Sequence, residues 1–225
     1  MAKTKRATAQ LRIDFPKGWG GRRRGAGAKS RGEKPGVSHR ARAQLAARFP
    51  VHVTMKLRQG LPSLRRGEAF AVVLGVFAAV RELEDFRLVQ YSVQSNHLHL
   101  ICEARDRREL VRGVQSLAIR LAKRLNRLWR CAGKLFADRY HDRILRTPRE
   151  VRNALAYVLQ NARKHGALGH STGPDPCSSG RWFDGWENWI VDECATIPVK
   201  RAKSWLLRIG WLRHGKLPLA VDHTC

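Results

Sequence analysis

The sequence predicts an α+β protein built on an antiparallel sheet, and two kinds of pattern lead to this prediction. Short stretches at 51–55, 87–93, 97–103 and 141–146 are predicted to be strands, and the first of them alternates and is rich in β-branched residues. Between them, residues 68–84 and 107 to about 130 carry apolar side chains at helical spacing, and a further helix is predicted from 148 to about 164. The predicted order is therefore β-α-β-β-α-β-α.

The first half of this order is a strand, a helix and a hairpin. Val51–Met55 alternates in the period of a strand with one buried face. Glu68–Glu84 places its large apolar residues near helical spacing. Arg87–Val93 and His97–Glu103 are two further strands, and the polar turn Ser95-Asn96 between them predicts that they pair as a hairpin.

The second half is a long helix, a strand and a last helix. From Arg107 to about Arg130, leucines and a valine recur every three or four residues and form one apolar stripe. His141–Arg146 is the fourth strand. Thr147 followed by Pro148 predicts a helix start, because the hydroxyl can cap the helix and proline is tolerated in its first turn. The first six elements form the ferredoxin-like arrangement, in which helices cover one face of the sheet.

The composition is strongly basic, since 44 Lys and Arg against 18 Asp and Glu give a formal charge of +26. A chain of this kind is expected to bind a polyanion, because each basic group set on a phosphate releases counterions. On the long helix, the side opposite the apolar stripe is basic and predicts nucleic-acid contacts by Arg120, Lys123, Arg124 and Arg127.

The cysteines and the apolar runs bear on location. The chain has five cysteines, widely spaced and without a CxxC pair, which favours a reduced, cytoplasmic compartment. The longest apolar run, Ala69–Val80, is too short to cross a bilayer. We therefore expect no membrane partner.

Three regions are predicted along the chain. Residues 1–48 are basic and lack apolar periodicity, so they are expected to form a disordered arm. Residues 49–168 hold the predicted elements. Residues 169–225 form a turn-rich linker and a tryptophan-rich extension, and the tryptophans either dock on the core or stack on the bases of single-stranded DNA.

A candidate active site comes from two separate stretches. In the strand His97-Leu98-His99 the two imidazoles point to one face, where together they can ligate a divalent cation. Tyr157 and Asn161 are four residues apart and share one face of the last helix. The amide oxygen can complete the metal shell, and the tyrosine can attack a phosphate that the metal polarises.

Two choices stay open from the residues alone. Tyr140, just before the fourth strand, is the reserve nucleophile. Gln160 lies beside Asn161, so either amide could face the ion. Histidine ligands favour Mn²⁺ over Mg²⁺, although either cofactor is expected to serve.

The sequence resembles the single-tyrosine HUH transposases, and among them the REP-associated tyrosine transposase-like proteins. The likeness covers roughly 51–166 and rests on a few short motifs. These are His52-Val53-Thr54, Ser95-Asn96-His97-Leu98-His99-Leu100-Ile101, Phe136 to Tyr140, Tyr157 to Asn161 and Lys164-His165-Gly166. The chain has Ser95 and Ala162 where family members often have proline.

The resemblance implies an enzyme with His97, His99 and Asn161 as metal ligands and Tyr157 as nucleophile. It implies cleavage and rejoining of single-stranded or hairpin DNA through a 5′-phosphotyrosine intermediate, and it allows a homodimer. The alternative is a non-catalytic nucleic-acid-binding protein or an inactive transposase relic. A module that stacks bases on its central strands is disfavoured, since the third strand has no aromatic residue.

Overall fold

The computed structural model describes residues 42–161, 173–189, 191 and 197–219, which belong to one compact unit, Gly36–Cys225. Residues 1–41 of the predicted arm and the first part of the predicted linker lie outside the described residues. The described elements are β1 (Val51–Lys56), α1 (Gly67–Val80), β2 (Phe86–Val93), β3 (His97–Ala104), α2 (Arg107–Leu128), β4 (His141–Ile144), α3 (Pro148–Leu159) and the one-turn helix α4 (Trp205–Arg208).

The four strands form one antiparallel sheet in the order β2-β3-β1-β4. This is the arrangement expected when two split βαβ units interleave, so the ferredoxin-like α+β prediction is confirmed. In the β1–β3 pair, Thr54 lies opposite His99 and Lys56 lies opposite His97. The register therefore brings two stretches more than forty residues apart into contact.

Each face of the sheet has its own core. On one face, the apolar stripe of α2 and the buried side of α1 pack on Val53, Leu98 and Leu100. On the other face, Val89 and Ile101 pack with α3 and with the C-terminal extension. Alternation along β1 and β3 therefore buries Leu98 under the first two helices and directs the histidines to the α3 face, as the sequence predicts.

Two helices are shorter than their patterns predict. Helix α1 ends at Val80 rather than near residue 84, where a turn closed by the bond from Leu83 N to Val80 O leads into β2. Helix α3 ends at Leu159, with Gln160 as its C-cap. Residues 162–164, to which the second of these helices was predicted to extend, lie outside the described residues.

The last residues of the predicted arm pack on the core. Leu45 is buried in the first core, and Ala46 forms a bridge with Asp106. The Arg42 guanidinium lies over the Tyr140 ring at 3.6 Å and binds the carboxylate of Asp142. Residues 42–46 thus pack on the folded unit through contacts with residues far away in the sequence.

Residues 173–180, which the sequence assigns to a linker, lie along the free edge of β2. The backbone N–H of Val93 donates to Cys177 O at 2.9 Å, and that of Tyr91 donates to the Ser179 hydroxyl at 2.8 Å. Asp175 accepts two bonds of 2.8 Å from the guanidinium of Arg65. The segment satisfies donors that an open sheet edge would leave exposed.

The described part of the C-terminal extension packs on α3. Trp186 and Trp211 are buried in the second core, so docking is confirmed for these two tryptophans. Arg152 of α3 donates to the carbonyls of Gly215 and Lys216 at 3.1 and 3.0 Å. The extension therefore holds α3 against the sheet from its outer side.

Within the described ranges, no helix is long and apolar enough to cross a membrane. Cys102, Cys131 and Cys177 are present as free thiols.

Two glycines of the paired helices α1 and α2 give opposite predictions for stability. A Cβ at Gly113 would overlap the ring of Phe86, whereas a Cβ at Gly75 would sit 3.4 Å from Arg124 Nη1, an ordinary contact. We expect Gly113→Ala to destabilise the protein by about 1–3 kcal/mol through overpacking. Gly75→Ala should stabilise it by roughly 0.5–1 kcal/mol through helix propensity. Urea unfolding measures both, and a stabilised Gly113→Ala would contradict the described packing.

Candidate active site

The two predicted ligands lie side by side on the α3 face of β3. The ring centroids of His97 and His99 are 4.7 Å apart, with the planes nearly perpendicular. His99 is buried and His97 is half-buried. The strand alternation that predicts a histidine pair on one face is therefore found in the structure.

Tyr157 lies against His99, the buried member of this pair. Its ring meets His99 edge-on at a centroid distance of 5.1 Å and is also 5.8 Å from a third histidine, His52. The side chain is 41% exposed, so the tyrosine is not a core residue. Tyr140 instead packs against the core on the other face of the sheet. Of the two candidate nucleophiles, the structure brings only Tyr157 to the histidines.

Local interactions fix the start of the helix that carries Tyr157. The Thr147 hydroxyl accepts from Glu150 N at 3.2 Å, and the Glu150 carboxylate accepts from Thr147 N at 3.2 Å, which forms a capping box. The N-cap predicted at Thr147 is thus confirmed. Because Tyr157 is on the same helix, this cap helps to set its position.

The two amides at the end of α3 have different surroundings. Gln160 donates through Nε2 to Pro218 O at 2.7 Å and is therefore engaged with the extension. Asn161 is 1% exposed, and its side-chain oxygen has no hydrogen-bond partner among the described residues. A buried amide oxygen is costly without a partner, so Asn161 is the better candidate for a cation ligand.

The structure adds two side chains to the site. His52 Nε2 and Thr54 Oγ1 both lie 3.2 Å from Nδ1 of His99. The sequence interpretation gave neither residue a role. The signal was present in the alternation of β1, which sends His52 and Thr54 to one face, but the antiparallel register was needed to place them beside His99.

The electrostatic character of this face is basic. His141 and Arg143 of β4 lie opposite Thr54 and His52 in the register, and Lys56 lies opposite His97. Burial, with smaller effects of His141 and Arg143, lowers the pKa of His52 to about 4. His52 is therefore neutral at neutral pH, and of the two basic residues Lys56 and Arg143, the arginine is paired with Glu150 at 3.1 Å.

The predicted DNA-binding residues of α2 lie elsewhere. The apolar stripe of α2 packs on the face of the sheet opposite the histidines. Arg120, Lys123, Arg124 and Arg127 are exposed, as predicted, but on that far side. The structure therefore does not bring them to the candidate site.

The donor set limits which group could bind here. In the described part of the chain, no group of three or more His, Cys, Asp or Glu side chains is arranged to hold a metal ion. The sequence predicts a set of two imidazoles and one amide oxygen, and the Asn161 oxygen is buried without a partner among the described residues. An amide oxygen suits Mg²⁺ or Mn²⁺, whereas imidazoles suit ions softer than Mg²⁺, so such a set fits Mn²⁺ better than Mg²⁺.

Comparisons with known proteins bear on the fold. A solved structure with a similar fold is that of a REP-associated tyrosine transposase bound to a REP hairpin. The likeness has a TM-score of 0.55 at 15% sequence identity and covers 75% of this chain and 100% of that chain. No protein-family model and no curated protein matches the sequence.

The capping box also gives a pH prediction. Backbone donation from Arg146, together with the Arg143 guanidinium and Thr147 N, holds the pKa of Glu150 below its usual range. A lowered folded-state pKa contributes stability above the unfolded pKa, and that stability is lost as the pH falls through the folded value. We therefore expect Glu150→Gln to lower the melting temperature at neutral pH. The difference in melting temperature between this variant and the unmutated protein should close below about pH 4. A difference in melting temperature that does not depend on pH would contradict this role of the Glu150 carboxylate.

Proposed function

We propose that the protein cuts and rejoins single-stranded or hairpin DNA, using Tyr157 as the nucleophile in a metal-dependent reaction. The observation that carries the proposal is an accessible tyrosine held edge-on to His99, which lies beside His97 on a basic sheet face. The similarity of the fold to that of a hairpin-bound tyrosine transposase also supports this proposed function.

The metal site would consist of His97, His99 and Asn161. The unsatisfied, buried Asn161 oxygen is the feature that supports a third ligand. When bound, the ion would withdraw charge from the phosphate oxygens. Because imidazole ligands favour softer ions than Mg²⁺, we expect Mn²⁺ to bind more tightly.

The chain's own part in the chemistry is nucleophilic attack. The Tyr157 oxygen forms a bond to phosphorus while the bond from phosphorus to the 3′-oxygen breaks. The tyrosine loses its proton and the departing oxygen gains one, leaving a free 3′-OH and a 5′-phosphotyrosine link. A second 3′-OH can reverse the step on another strand. One diester is exchanged for another, so no water or nucleotide is consumed.

Two basic surfaces could hold the DNA. Lys56 and Arg143 lie on the site face and would meet the strand being cut. The exposed face of α2, formed by Arg120, Lys123, Arg124 and Arg127, would bind DNA that continues beyond the site. Cytoplasmic location and a homodimer stay predictions.

A pair of charge variants separates these two roles. Each lost phosphate contact should reduce the slope of log affinity against log salt by about 0.7–0.9. We expect the fourfold glutamine variant of the α2 face to reduce this slope without changing the cleavage rate at saturating DNA. The double variant Lys56→Gln/Arg143→Gln should reduce both the slope and the cleavage rate at saturating DNA. An α2 variant with an unchanged slope would remove that surface from the proposal.

The proposed function is tested by trapping the covalent intermediate. The protein is incubated with single-stranded oligonucleotides and a panel of palindromic hairpins, with Mn²⁺ or with EDTA, and then run on a denaturing gel. A 5′-phosphotyrosine link keeps the downstream fragment on the protein. A 3′-end label should therefore become protein-bound, while a 5′-end label is released on a fragment with an extendable 3′-OH.

Other outcomes have defined meanings. A protein-bound 5′-end label would reverse the proposed polarity. DNA binding without any adduct on the whole panel would favour a non-catalytic binder or an inactive relic.

A further inference from the structure

We propose that three side chains orient the two histidines, so that His97 and His99 both carry their ring proton on Nδ1 and present Nε2 as the ligating nitrogen. Asn96 orients His97, while His52 and Thr54 together orient His99. The statement about metal ligation rests on the proposed function. The statement about the ring protons concerns the metal-free chain and can be tested without it.

The contact to His97 has a defined direction. Asn96 Oδ1 lies 2.8 Å from His97 Nδ1. An amide carbonyl oxygen can only accept a hydrogen bond, so the imidazole nitrogen facing it must be the one that carries the proton. In a neutral ring the lone pair then lies on Nε2. Asn96 belongs to the turn between β2 and β3, so the turn itself sets the tautomer of the first histidine of the strand.

The contact to His99 comes from the neighbouring strand. Both His52 Nε2 and Thr54 Oγ1 lie 3.2 Å from Nδ1 of His99. Thr54 is directly opposite His99 in the register, and His52 comes from the adjacent pair. An imidazole nitrogen and a hydroxyl oxygen can each accept a hydrogen bond. The direction of these two hydrogen bonds depends on the tautomer of His99. In the tautomer that we propose, Nδ1 is the donor, and the cation would be bound through Nε2 on the opposite side of the ring.

The geometry also argues against His52 as a ligand. Its Nε2 is directed at another histidine nitrogen, and the described residues contain no arrangement of three histidines fit for a metal. His52 is therefore a positioning residue. Such partners fix the tautomer and ring orientation of a ligating histidine and raise its basicity, and their loss costs about 10–100-fold in metal affinity.

The first test reads the ring protons directly in the metal-free protein. Long-range ¹H–¹⁵N spectra in EDTA at neutral pH should show His97 and His99 as Nδ1–H tautomers. Asn96→Ala should change the pattern of His97 alone. His52→Leu combined with Thr54→Val should change that of His99 alone. An Nε2–H tautomer for His99 in the unmutated protein, or an unchanged pattern in the double variant, would overturn the inference.

Conservative variants serve as controls for an effect of the substitutions on folding. His52→Gln and Thr54→Ser each keep an acceptor and should retain the Nδ1–H tautomer of His99. Melting temperatures of the metal-free variants show whether the sheet is intact. Should the double variant fail to fold, the spectrum of the unmutated protein and that of Thr54→Val still decide the question.

The second test measures Mn²⁺ binding by electron paramagnetic resonance of the free ion. Asn96→Ala and the double variant should each lower the affinity by about 10–100-fold, and Thr54→Ser should restore most of it relative to Thr54→Val. Equal affinities in all variants would overturn the orienting role. If the unmutated protein bound no Mn²⁺, the proposed metal-dependent function would fail instead, and the tautomer spectra would still decide the inference.

Discussion

Tyr157→Phe should abolish the covalent protein–DNA adduct, reducing its rate of formation by at least about a thousandfold, because the substitution removes the only atom that attacks phosphorus. The ring itself remains, together with its edge-on packing against His99 and His52. DNA affinity should change by no more than about 1 kcal/mol, the net worth of a single hydrogen bond. A time course with a 3′-labelled hairpin on denaturing gels measures the adduct, and gel shift measures binding.

The matched control is Tyr140→Phe. Tyr140 packs against the core on the opposite face of the sheet, under the Arg42 guanidinium. Loss of its hydroxyl keeps the stacked ring, so adduct formation should stay at the level of the unmutated protein. If Tyr157→Phe formed the adduct normally and Tyr140→Phe did not, the nucleophile would have to be reassigned.

Trp186→Ala should lower the free energy of unfolding by about 3–5 kcal/mol. The side chain is 1% exposed, packs edge-on to Phe183 and donates from Nε1 to Gly180 O at 2.8 Å. Substitution leaves a large cavity between α3 and the extension and also leaves the Gly180 carbonyl without its donor. Because small domains are stable by only about 5–15 kcal/mol, this loss is a large fraction of the total.

Trp189→Ala is the control for this change. Trp189 is 38% exposed, so its loss should cost about 1 kcal/mol or less. Urea unfolding followed by circular dichroism measures both variants. If Trp186→Ala cost as little as Trp189→Ala, the extension would not fold cooperatively with the sheet, and α3 would need another explanation for its position.

Several features of the site could be predicted from local sequence. The His97-Leu98-His99 alternation predicted which side chain would be buried, since neighbouring residues of a strand point to opposite faces. The Thr147–Pro148 pair predicted the start of α3, since capping depends on groups within one turn. The spacing of Tyr157 from Asn161 predicted one shared helical face, but α3 ends at Leu159 and Asn161 lies beyond its C-cap. Each of these depends on a few consecutive residues.

The remaining features depend on which distant segments pack together. The basic face of α2 was predicted correctly as exposed, but which face of the sheet α2 covers follows from the packing of two apolar stripes. The surroundings of Gln160 and Asn161 differ through the bond from Gln160 to Pro218 and the burial of the Asn161 oxygen, and the sequence predicted neither. Neither the sheet face that α2 covers nor the surroundings of the two amides can be predicted from neighbouring residues in the sequence.

The sequence by itself determined the order of elements, the basic character and the identity of the histidine pair and its tyrosine. Only the tertiary structure decided that His52 and Thr54 flank His99, that Tyr140 faces away and that the extension covers α3. The physical reason is the range of the interactions involved. Strand alternation and helix capping are fixed within a few residues, whereas strand register and core packing are set by burial between segments that lie far apart in the chain.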